Sequence, residues 1–385
     1  MKYNFDEIIP RRNTNSYKWD SATNDNVLPF WIADMDFRTA PPVIDALEKR
    51  VQHGIFGYTK VPPAFYDATT GWFERRHNFT FRREWMLHTI SVVHALSAII
   101  KALTVPGDKV IIQTPVYNCF FSTIRNNDCE IVANQLIYKD RTYSIDFDDL
   151  EKKASDPRAK LFLLCSPHNP AGRVWSKEEL MRIGEICFKN NIIVLSDEIH
   201  CDLVFAGHRH IPFASLGDDF LRNSVTCNAP SKTFNLAGLQ VANIHAADEA
   251  IRNKINRVLN VNEICEINSF AVVALIAAYN EGEEWLDALI EYLHNNYLFL
   301  KDFFEKHLPQ FQVLPLEATY LVWVDCSVLH QSSATIAQML LEKENIRVNP
   351  GIMYGKAGEN FIRLNIACPR ELLAQGLNII KRAFI

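Results

Sequence analysis

The chain has 385 residues, of which 48% are hydrophobic, and a formal net charge of −5. This length predicts two or three domains with a sizeable core, and the mildly acidic balance gives no reason to expect nucleic acid or an anionic membrane as a partner. The nine cysteines form no C-x-x-C pair and the N-terminus has no apolar signal segment; we therefore expect free thiols in a cytoplasmic protein without membrane spans.

The first strong signal in chain order is a helix in "TISVVHALSAIIKAL". Ser91 is the predicted N-cap, and the apolar spacing carries the helix to about Leu103. The N–H groups at the start of a helix favour an anion such as phosphate. Because no glycine-rich fingerprint accompanies this helix, it is a weak phosphate signal by itself.

The middle of the chain alternates short apolar runs with helical segments. Ser176 and Glu179 form a capping box that starts one of these helices. Continuous apolar strands separated by helices predict a parallel sheet covered on both faces, and hence an α/β fold. The predicted strands begin near Lys109, Lys160, Ile192 and Ser224.

The pattern changes after about residue 282. A long helix is predicted from Glu283 to about His307, followed by a strand pair in "FQVLPLEATYLVWVDC" and a helix in "ATIAQMLLEKEN". Two further strands and a closing helix from Arg370 complete an α+β unit. We expect an N-terminal arm and part of the small domain in 1–45, the large domain in 46–282, and the rest of the small domain in 283–385.

Four polar residues follow the predicted strands at their carboxyl ends, where open parallel sheets bind ligands. They are Tyr117, Asn169, Asp197 and Lys232. Each has a plain structural alternative, such as an Asx turn for Asn169, a cap for Asp197 and a solvated surface charge for Lys232. Their joint placement on one rim favours a functional site.

Several common catalytic motifs are absent from the sequence. There is no G-x-G-x-x-G, P-loop, H-E-x-x-H or G-x-S-x-G motif, which argues against a Rossmann dehydrogenase, a P-loop NTPase, a zincin and an α/β-hydrolase. The segment "GHRH" around His208 offers no third metal ligand, so we expect a solvated loop and no metal site.

The runs "SPHNPAGRVWS", "SDEIHCDLVF" and "APSKTFNLAGLQ" resemble the fold-type I pyridoxal-phosphate enzymes of the aspartate aminotransferase family. They are most similar to the MalY/PatB-type C–S lyase branch, which includes cystalysin. "PFWIADMDF", "GIFGYTK", "TPVYNCFF", "ATYLVWVD" and "FIRLNIACPR" extend the resemblance over nearly the whole chain. It implies a pyridoxal-phosphate transferase-like large domain, a smaller α+β domain built from both chain ends, and a homodimer.

The resemblance implies a role for each residue of the rim. Lys232 would form the Schiff base with the cofactor aldehyde and then take the substrate's Cα proton. Asp197 would pair with the pyridine nitrogen, which makes the ring an electron sink. Asn169 would contact the ring oxygen and the substrate, and Tyr117 would stack on the ring and assist catalysis. His200 lies where transaminases usually have a tyrosine, so its role stays open.

The remaining implied contacts concern the phosphate and the substrate carboxylate. The N–H groups of Val92 and Val93, with Ser231, would hold the phosphate. Tyr58 would reach the phosphate of a neighbouring subunit and take part in catalysis, so the active site would be shared across a dimer interface. Arg363 would bind the α-carboxylate of an amino-acid substrate with two parallel hydrogen bonds.

Two departures from the transaminase pattern bear on the reaction. Gln240 stands where many transaminases have a phosphate-binding arginine, and Ala229 where they have a serine. The first departure favours a C–S β-lyase, which would cleave L-cystathionine or a related cysteine S-conjugate to a thiol (homocysteine), pyruvate and ammonia. An aminotransferase of amino acids is the alternative, and a MalY-like regulatory role beside the activity is a second one.

Overall fold

The computed structural model describes residues 2–21, 24–264 and 266–385. The thirteen α-helices within these ranges are α1 Pro41–His53, α2 Pro63–His77, α3 Val92–Leu103, α4 Asn118–Arg125, α5 Phe147–Ala154, α6 Lys177–Lys189, α7 Asp218–Arg222, α8 Pro230–Thr233, α9 Glu249–Val261, α10 Ser269–Glu281, α11 Glu283–His307, α12 Ser333–Glu344 and α13 Arg370–Phe384.

The strands of the same ranges form one large sheet, one smaller sheet and two short pairs. They are β1 Leu28–Pro29, β2 Met86–Thr89, β3 Lys109–Ile112, β4 Glu130–Ala133, β5 Ile137–Lys139, β6 Thr142–Ser144, β7 Ala159–Cys165, β8 Ile193–Asp197, β9 Ser224–Asn228, β10 Ala242–His245, β11 Gln312–Val313, β12 Leu321–Asp325, β13 Ile346–Arg347, β14 Asn349–Pro350 and β15 Phe361–Asn365.

The large sheet has the order β2-β10-β9-β8-β7-β3-β4. β10 runs antiparallel to both of its neighbours, and the other pairs are parallel. On β7, Leu161 and Leu163 pack into the core under α3, whereas Phe162 and Leu164 pack into the core under α6. Because successive side chains of a strand point to opposite faces, this apolar run covers both faces of a central strand. The predicted α/β fold with a mostly parallel sheet is confirmed.

The smaller sheet, β11-β12-β15-β14, is antiparallel and comes from the C-terminal part of the chain. β1, near the N-terminus, pairs in parallel with β13. Phe5 and Phe37 contact Tyr292 on the long helix α11 at ring-centroid distances of 5.4 and 5.5 Å. The two ends of the chain therefore pack together; the three domain ranges themselves stay a prediction.

Two further expectations concern the membrane and the thiols. No helix in the described part of the chain is long and apolar enough to cross a membrane. Eight cysteines lie in the described ranges and all of them are free, and seven of these are buried. The ninth, Cys265, lies outside the described residues.

A buried ion-pair network fixes the N-terminal segment. Lys18 Nζ lies 2.7 Å from Asp36 and 3.5 Å from Asp34, and Arg11 pairs with both carboxylates at 2.6 and 2.8 Å. Burial opposes the charge on Asp36, but Lys18 outweighs it and holds the pKa of this carboxyl below its ordinary value. The network anchors the chain next to the residues that reach the cavity described below.

We expect Asp36→Ala to lower the free energy of unfolding by about 3–5 kcal/mol, because it leaves Lys18 buried without its main partner. Urea denaturation measures this loss. The difference from wild type should shrink as the pH falls through the folded-state pKa of Asp36, since a protonated carboxyl no longer pairs. Glu284→Ala, which removes the exposed pair with Lys2, is the control and should have little effect; equal losses in the two variants would contradict this account.

Candidate active site

One cavity lies at the carboxyl ends of the parallel strands, with an empty volume of about 750 Å³ that includes its open mouth. It has the size of an ordinary cofactor site. Eight of the ten residues singled out from the sequence line it: Val92, Val93, Tyr117, Asn169, Asp197, His200, Ser231 and Lys232. The sheet explains this convergence, because β3, β7, β8 and β9 end on the same edge.

Lys232 is placed by β9 and the short helix α8. Pro230 is the first residue of α8, where its fixed φ and missing N–H are tolerated. The Lys232 Nζ donates a hydrogen bond to the carbonyl oxygen of Ala33 at 2.6 Å. Burial lowers the pKa of this amine to about 8; Arg363 also lowers it, while Asp34 and Asp197 oppose the change. The amine is thus partly neutral near neutral pH.

Asp197 is the last residue of β8 and is buried. Burial raises the pKa of its carboxyl to about 7, although the backbone N–H of Ile199 donates to it at 3.1 Å. No Lys, Arg or His of the described ranges lies within ion-pair distance of this carboxylate. A cationic or N–H donor group entering the cavity would therefore meet a buried acceptor with little other compensation.

Asn169 and Arg363 come together across the two sheets. The Asn169 side-chain oxygen accepts a hydrogen bond from Arg363 Nη1 at 3.1 Å, and Arg363 Nη2 donates to the carbonyl of Trp31 at 2.8 Å. The Nε of Arg363 is buried without a partner. The guanidinium is thus held beside the cavity with donor capacity left for a carboxylate.

His200 is buried and Tyr117 is half-buried, and neither forms an ion pair in the described structure. Burial, followed by the charges of Lys232 and Arg363, lowers the pKa of His200 to about 3, so this imidazole is neutral. Its Nδ1 has no hydrogen-bond partner in the described structure. Tyr117 directly precedes α4, and burial raises the pKa of its phenol.

The start of α3 opens onto the cavity. The Ser91 side chain accepts a hydrogen bond from the backbone N–H of His94 at 3.2 Å, as predicted for an N-cap. The N–H groups of Val92 and Val93 belong to the first turn, which has no intrahelical acceptors for them. This first turn is suited to an anion.

Tyr58 is not part of this cavity, because its side chain is 96% exposed. It lies between α1 and α2 in a segment that also exposes Ile55 and Phe56. Gln240 and Ala229 do not line the cavity either. Gln240 ends a short 3-10 turn in a left-handed conformation, with φ of 57°.

A buried polar cluster supports the turn that carries Lys232. Asp202 is hydrogen-bonded to Thr233 Oγ1 at 2.9 Å, to Trp72 Nε1 at 3.0 Å and to His77 Nε2 at 2.7 Å. His77, Cys201 and Asp202 lie close enough to hold a metal ion, but the carboxylate oxygens of Asp202 are already engaged by these three side chains. The cluster is therefore explained as a structural support.

The N-terminal segment contributes a backbone acceptor to the cavity that was not predicted from the sequence. Ala33 lines the cavity, and its carbonyl is the acceptor of both Lys232 and Tyr320. Backbone acceptors carry no sequence signature. The runs "PFWIADMDF" and "ATYLVWVD" contain Ala33 and Tyr320, but they indicated only a resemblance to the pyridoxal-phosphate enzymes and no contact with Lys232.

The donor set fits the cofactor that the resemblance implies. The half-buried amine of Lys232 could bond to the aldehyde of pyridoxal phosphate, the buried carboxylate of Asp197 could hold its ring nitrogen, and a helix N-terminus could hold its phosphate. The unpartnered polar atoms of His200 and Arg363 lie beside the same cavity. The amine, the carboxylate, the helix N-terminus and these unpartnered atoms lie around one cavity. They could therefore contact the same cofactor without a rearrangement of the sheet.

Comparison with known proteins agrees with this reading. The chain is 45% identical over 384 residues to cystathionine beta-lyase PatB of Bacillus subtilis, with 99% of each chain covered. It is 33% identical to protein MalY of Escherichia coli, with 97% of each chain covered. The crystal structure of cystalysin from Treponema denticola, which contains pyridoxal 5'-phosphate, superimposes with a TM-score of 0.96 at 35% identity, covering 100% of this chain and 99% of that chain.

The family profile described as aminotransferase class I and II matches residues 25–380. That match spans both sheets and every residue that lines the cavity. The chain belongs to the class I and II aminotransferase family.

Proposed function

We propose that the protein is a pyridoxal-phosphate-dependent C–S β-lyase that acts on L-cystathionine or a related cysteine S-conjugate. The observation that carries the proposal is that Lys232 and Asp197 line one cavity, where burial brings the pKa values of the amine and the carboxyl to about 8 and about 7. The likeness to PatB, which is named a cystathionine beta-lyase, supports the choice of reaction.

Different residues of the chain take part in different steps of the elimination. When bound, pyridoxal phosphate supplies an electron sink for the charge that develops at the substrate's Cα. Lys232, neutral in part at working pH, removes the Cα proton, and Asp197 keeps the ring nitrogen protonated. The thiolate would then leave from Cβ and take up a proton, and water would hydrolyse the remaining 2-aminoacrylate to pyruvate and ammonia.

Substrate binding relies on the Arg363–Asn169 pair. The guanidinium of Arg363 offers a planar pair of donors to the α-carboxylate, and the contact with Asn169 fixes its orientation. Tyr117 covers the ring and assists the reaction, and His200 stays neutral beside the ring. The unpartnered Nε of Arg363 leaves donor capacity for the carboxylate while the contact with Asn169 is kept.

We further propose a homodimer whose two active sites share residues. Val92, Val93 and Ser231 hold the phosphate from within one subunit, and Tyr58 reaches the phosphate of the other. The exposed position of Tyr58, with Ile55 and Phe56 exposed beside it, supports this arrangement, because such a cluster is typical of a surface covered by a partner.

The free state of the eight described cysteines supports a reducing, cytoplasmic location. The contact between the two chain ends supports a small domain built from 1–45 and 283–385 on a large domain of 46–282. The connecting pair is formed by β1 and β13, whose paired residues Leu28 and Ile346 lie 318 positions apart by the difference of their numbers.

An aminotransferase is the second candidate, and the family profile favours it. The binding residues and the removal of the Cα proton are common to both reactions, so the cavity supports either. The glutamine at position 240 favours the lyase, as argued from the sequence. A MalY-like regulatory role beside the activity is compatible with both and depends on a partner-binding surface.

The purified enzyme with pyridoxal phosphate should release pyruvate from L-cystathionine without any keto-acid acceptor. Coupled lactate dehydrogenase measures the pyruvate, and a thiol reagent measures the homocysteine, which should appear in equal amount. Strict dependence of turnover on an added keto acid would instead establish the aminotransferase.

Lys232→Ala should abolish the long-wavelength absorbance band of the bound cofactor and lower kcat by at least about 100-fold, because the variant lacks the group that bonds to the cofactor and moves the proton. Lys306→Ala removes an exposed lysine on α11 and should behave as wild type. Normal turnover in the Lys232 variant would disprove the role assigned to this residue.

Tyr58→Phe should weaken the affinity for pyridoxal phosphate by roughly 10-fold or more, because it removes a hydrogen bond to a charged phosphate. Fluorescence titration of the cofactor-free protein measures this affinity, and sedimentation velocity should show a dimer. Tyr17→Phe, at another exposed tyrosine, is the matched control. An unchanged affinity in the Tyr58 variant, or a monomer in solution, would contradict the shared site.

A further inference from the structure

The residues 31–34, here called the strap, cross the cavity side of the molecule and are held by side chains from distant parts of the chain. Each of the four carbonyl oxygens of the strap accepts a side-chain hydrogen bond. Arg363 and Asn349 donate to the carbonyl of Trp31. Asn365 donates to the carbonyls of Ile32 and Asp34. Lys232 and Tyr320 donate to the carbonyl of Ala33.

The carbonyl of Ala33 is shared by two donors of different kinds. The Lys232 Nζ lies at 2.6 Å and the Tyr320 hydroxyl at 3.0 Å from this oxygen. Tyr320 has 0% of its surface exposed, so the hydroxyl has no access to solvent. A carbonyl oxygen has two lone pairs, and these two donors occupy both.

We propose that Tyr320 is a positioning residue for Lys232, and that it acts through the carbonyl of Ala33 on the free amine that takes up the Cα proton. The proposal rests on the role proposed above for Lys232. The amine has one fixed acceptor at the edge of the cavity, and this acceptor sets the direction from which the amine approaches the substrate.

The contribution of the Tyr320 hydroxyl is electrostatic, because the position of the carbonyl is secured independently. Asn365 holds the carbonyls on both sides of Ala33, at 2.6 and 2.7 Å. A second donor on the Ala33 oxygen reduces the negative charge available to the Lys232 ammonium. Tyr320 therefore favours the neutral form of the amine, which is the form that accepts a proton.

The other groups that act on the Lys232 amine come from several elements. Asp34, Asp197 and Cys119 stabilise its charged form, and Arg363 opposes it. Tyr320 differs from these groups because it is uncharged and contacts the acceptor of the amine directly. Its removal therefore changes the amine without changing the net charge of the cavity.

The test is the pKa of Lys232 in the full-length, cofactor-free protein, with Tyr320→Phe compared with wild type. Competitive labelling with acetic anhydride across a pH series, read by mass spectrometry of the peptide containing Lys232, gives this pKa directly. We expect about 8 in wild type and an upward shift of about half a unit in the variant, since the lost hydrogen bond is neutral and a whole unit corresponds to about 1.4 kcal/mol.

Tyr297→Phe is the matched control, because its hydroxyl also donates to a carbonyl, that of Leu314 at 3.2 Å, away from the cavity. It should lower the melting temperature without moving the pKa of Lys232.

In the cofactor-loaded Tyr320 variant, the acid limb of the kcat profile should move to higher pH by the same amount, whereas a merely structural role would lower kcat at every pH.

An unchanged or lowered pKa of Lys232 in Tyr320→Phe, or an equal shift in Tyr297→Phe, would overturn the proposal. Tyr320→Met removes the same hydroxyl and gives the same measurement if the phenylalanine variant folds poorly. The labelling needs no substrate, so its result stands apart from the pyruvate assay: a failed assay with a shifted pKa would reject the lyase but keep the role of Tyr320.

Discussion

The withdrawal of Asp197, and in part of Lys232, from water is the constraint on which the rest of the site depends. An isolated charge in an apolar interior is costly, so burial drives each group toward its neutral form. The pKa of the amine falls and the pKa of the carboxyl rises, so that both lie close to neutral pH. An exposed lysine would be fully charged at the same pH and poorly suited to accepting a proton, and the charge of an exposed aspartate would be solvated by water before it could stabilise a ring nitrogen.

Burial of this kind needs a framework that supplies compensating hydrogen bonds. Behind the rim, Glu198 is fully buried and contacts His210, the Ser196 hydroxyl and the backbone N–H of Phe213, which fixes the end of β8. Asp202 fixes the turn that carries Lys232, because its carboxylate accepts a hydrogen bond from the Thr233 hydroxyl. These buried polar groups specify one arrangement because each is satisfied only in that arrangement. The catalytic pair is therefore held from behind by groups that never reach the cavity.

The site also depends on contacts between segments far apart in the chain. The strap receives donors from the short helix after β9 and from the smaller sheet, so Lys232 and Arg363 are held by carbonyls two residues apart in one segment. A shift of the strap would move both the Lys232 amine and the Arg363 guanidinium. The ion pairs of Lys18 and Arg11 with Asp34 and Asp36 make such a shift costly, and this links the stability of the N-terminal arm to the geometry of the cavity.

Local patterns in the sequence determined the helices, the strands and the rim. The capping box at Ser176 and the apolar runs of β7 and β8 act over a few residues, and strand ends on one edge bring Tyr117, Asn169, Asp197 and Lys232 together. The tertiary structure decided which backbone atoms complete the site. The carbonyl of Ala33 meets Lys232 across 199 residues of chain and the hydroxyl of Tyr320 across 287, counted from their numbers. Every residue has a carbonyl, so only the packing of the two chain ends selects the one that receives the amine.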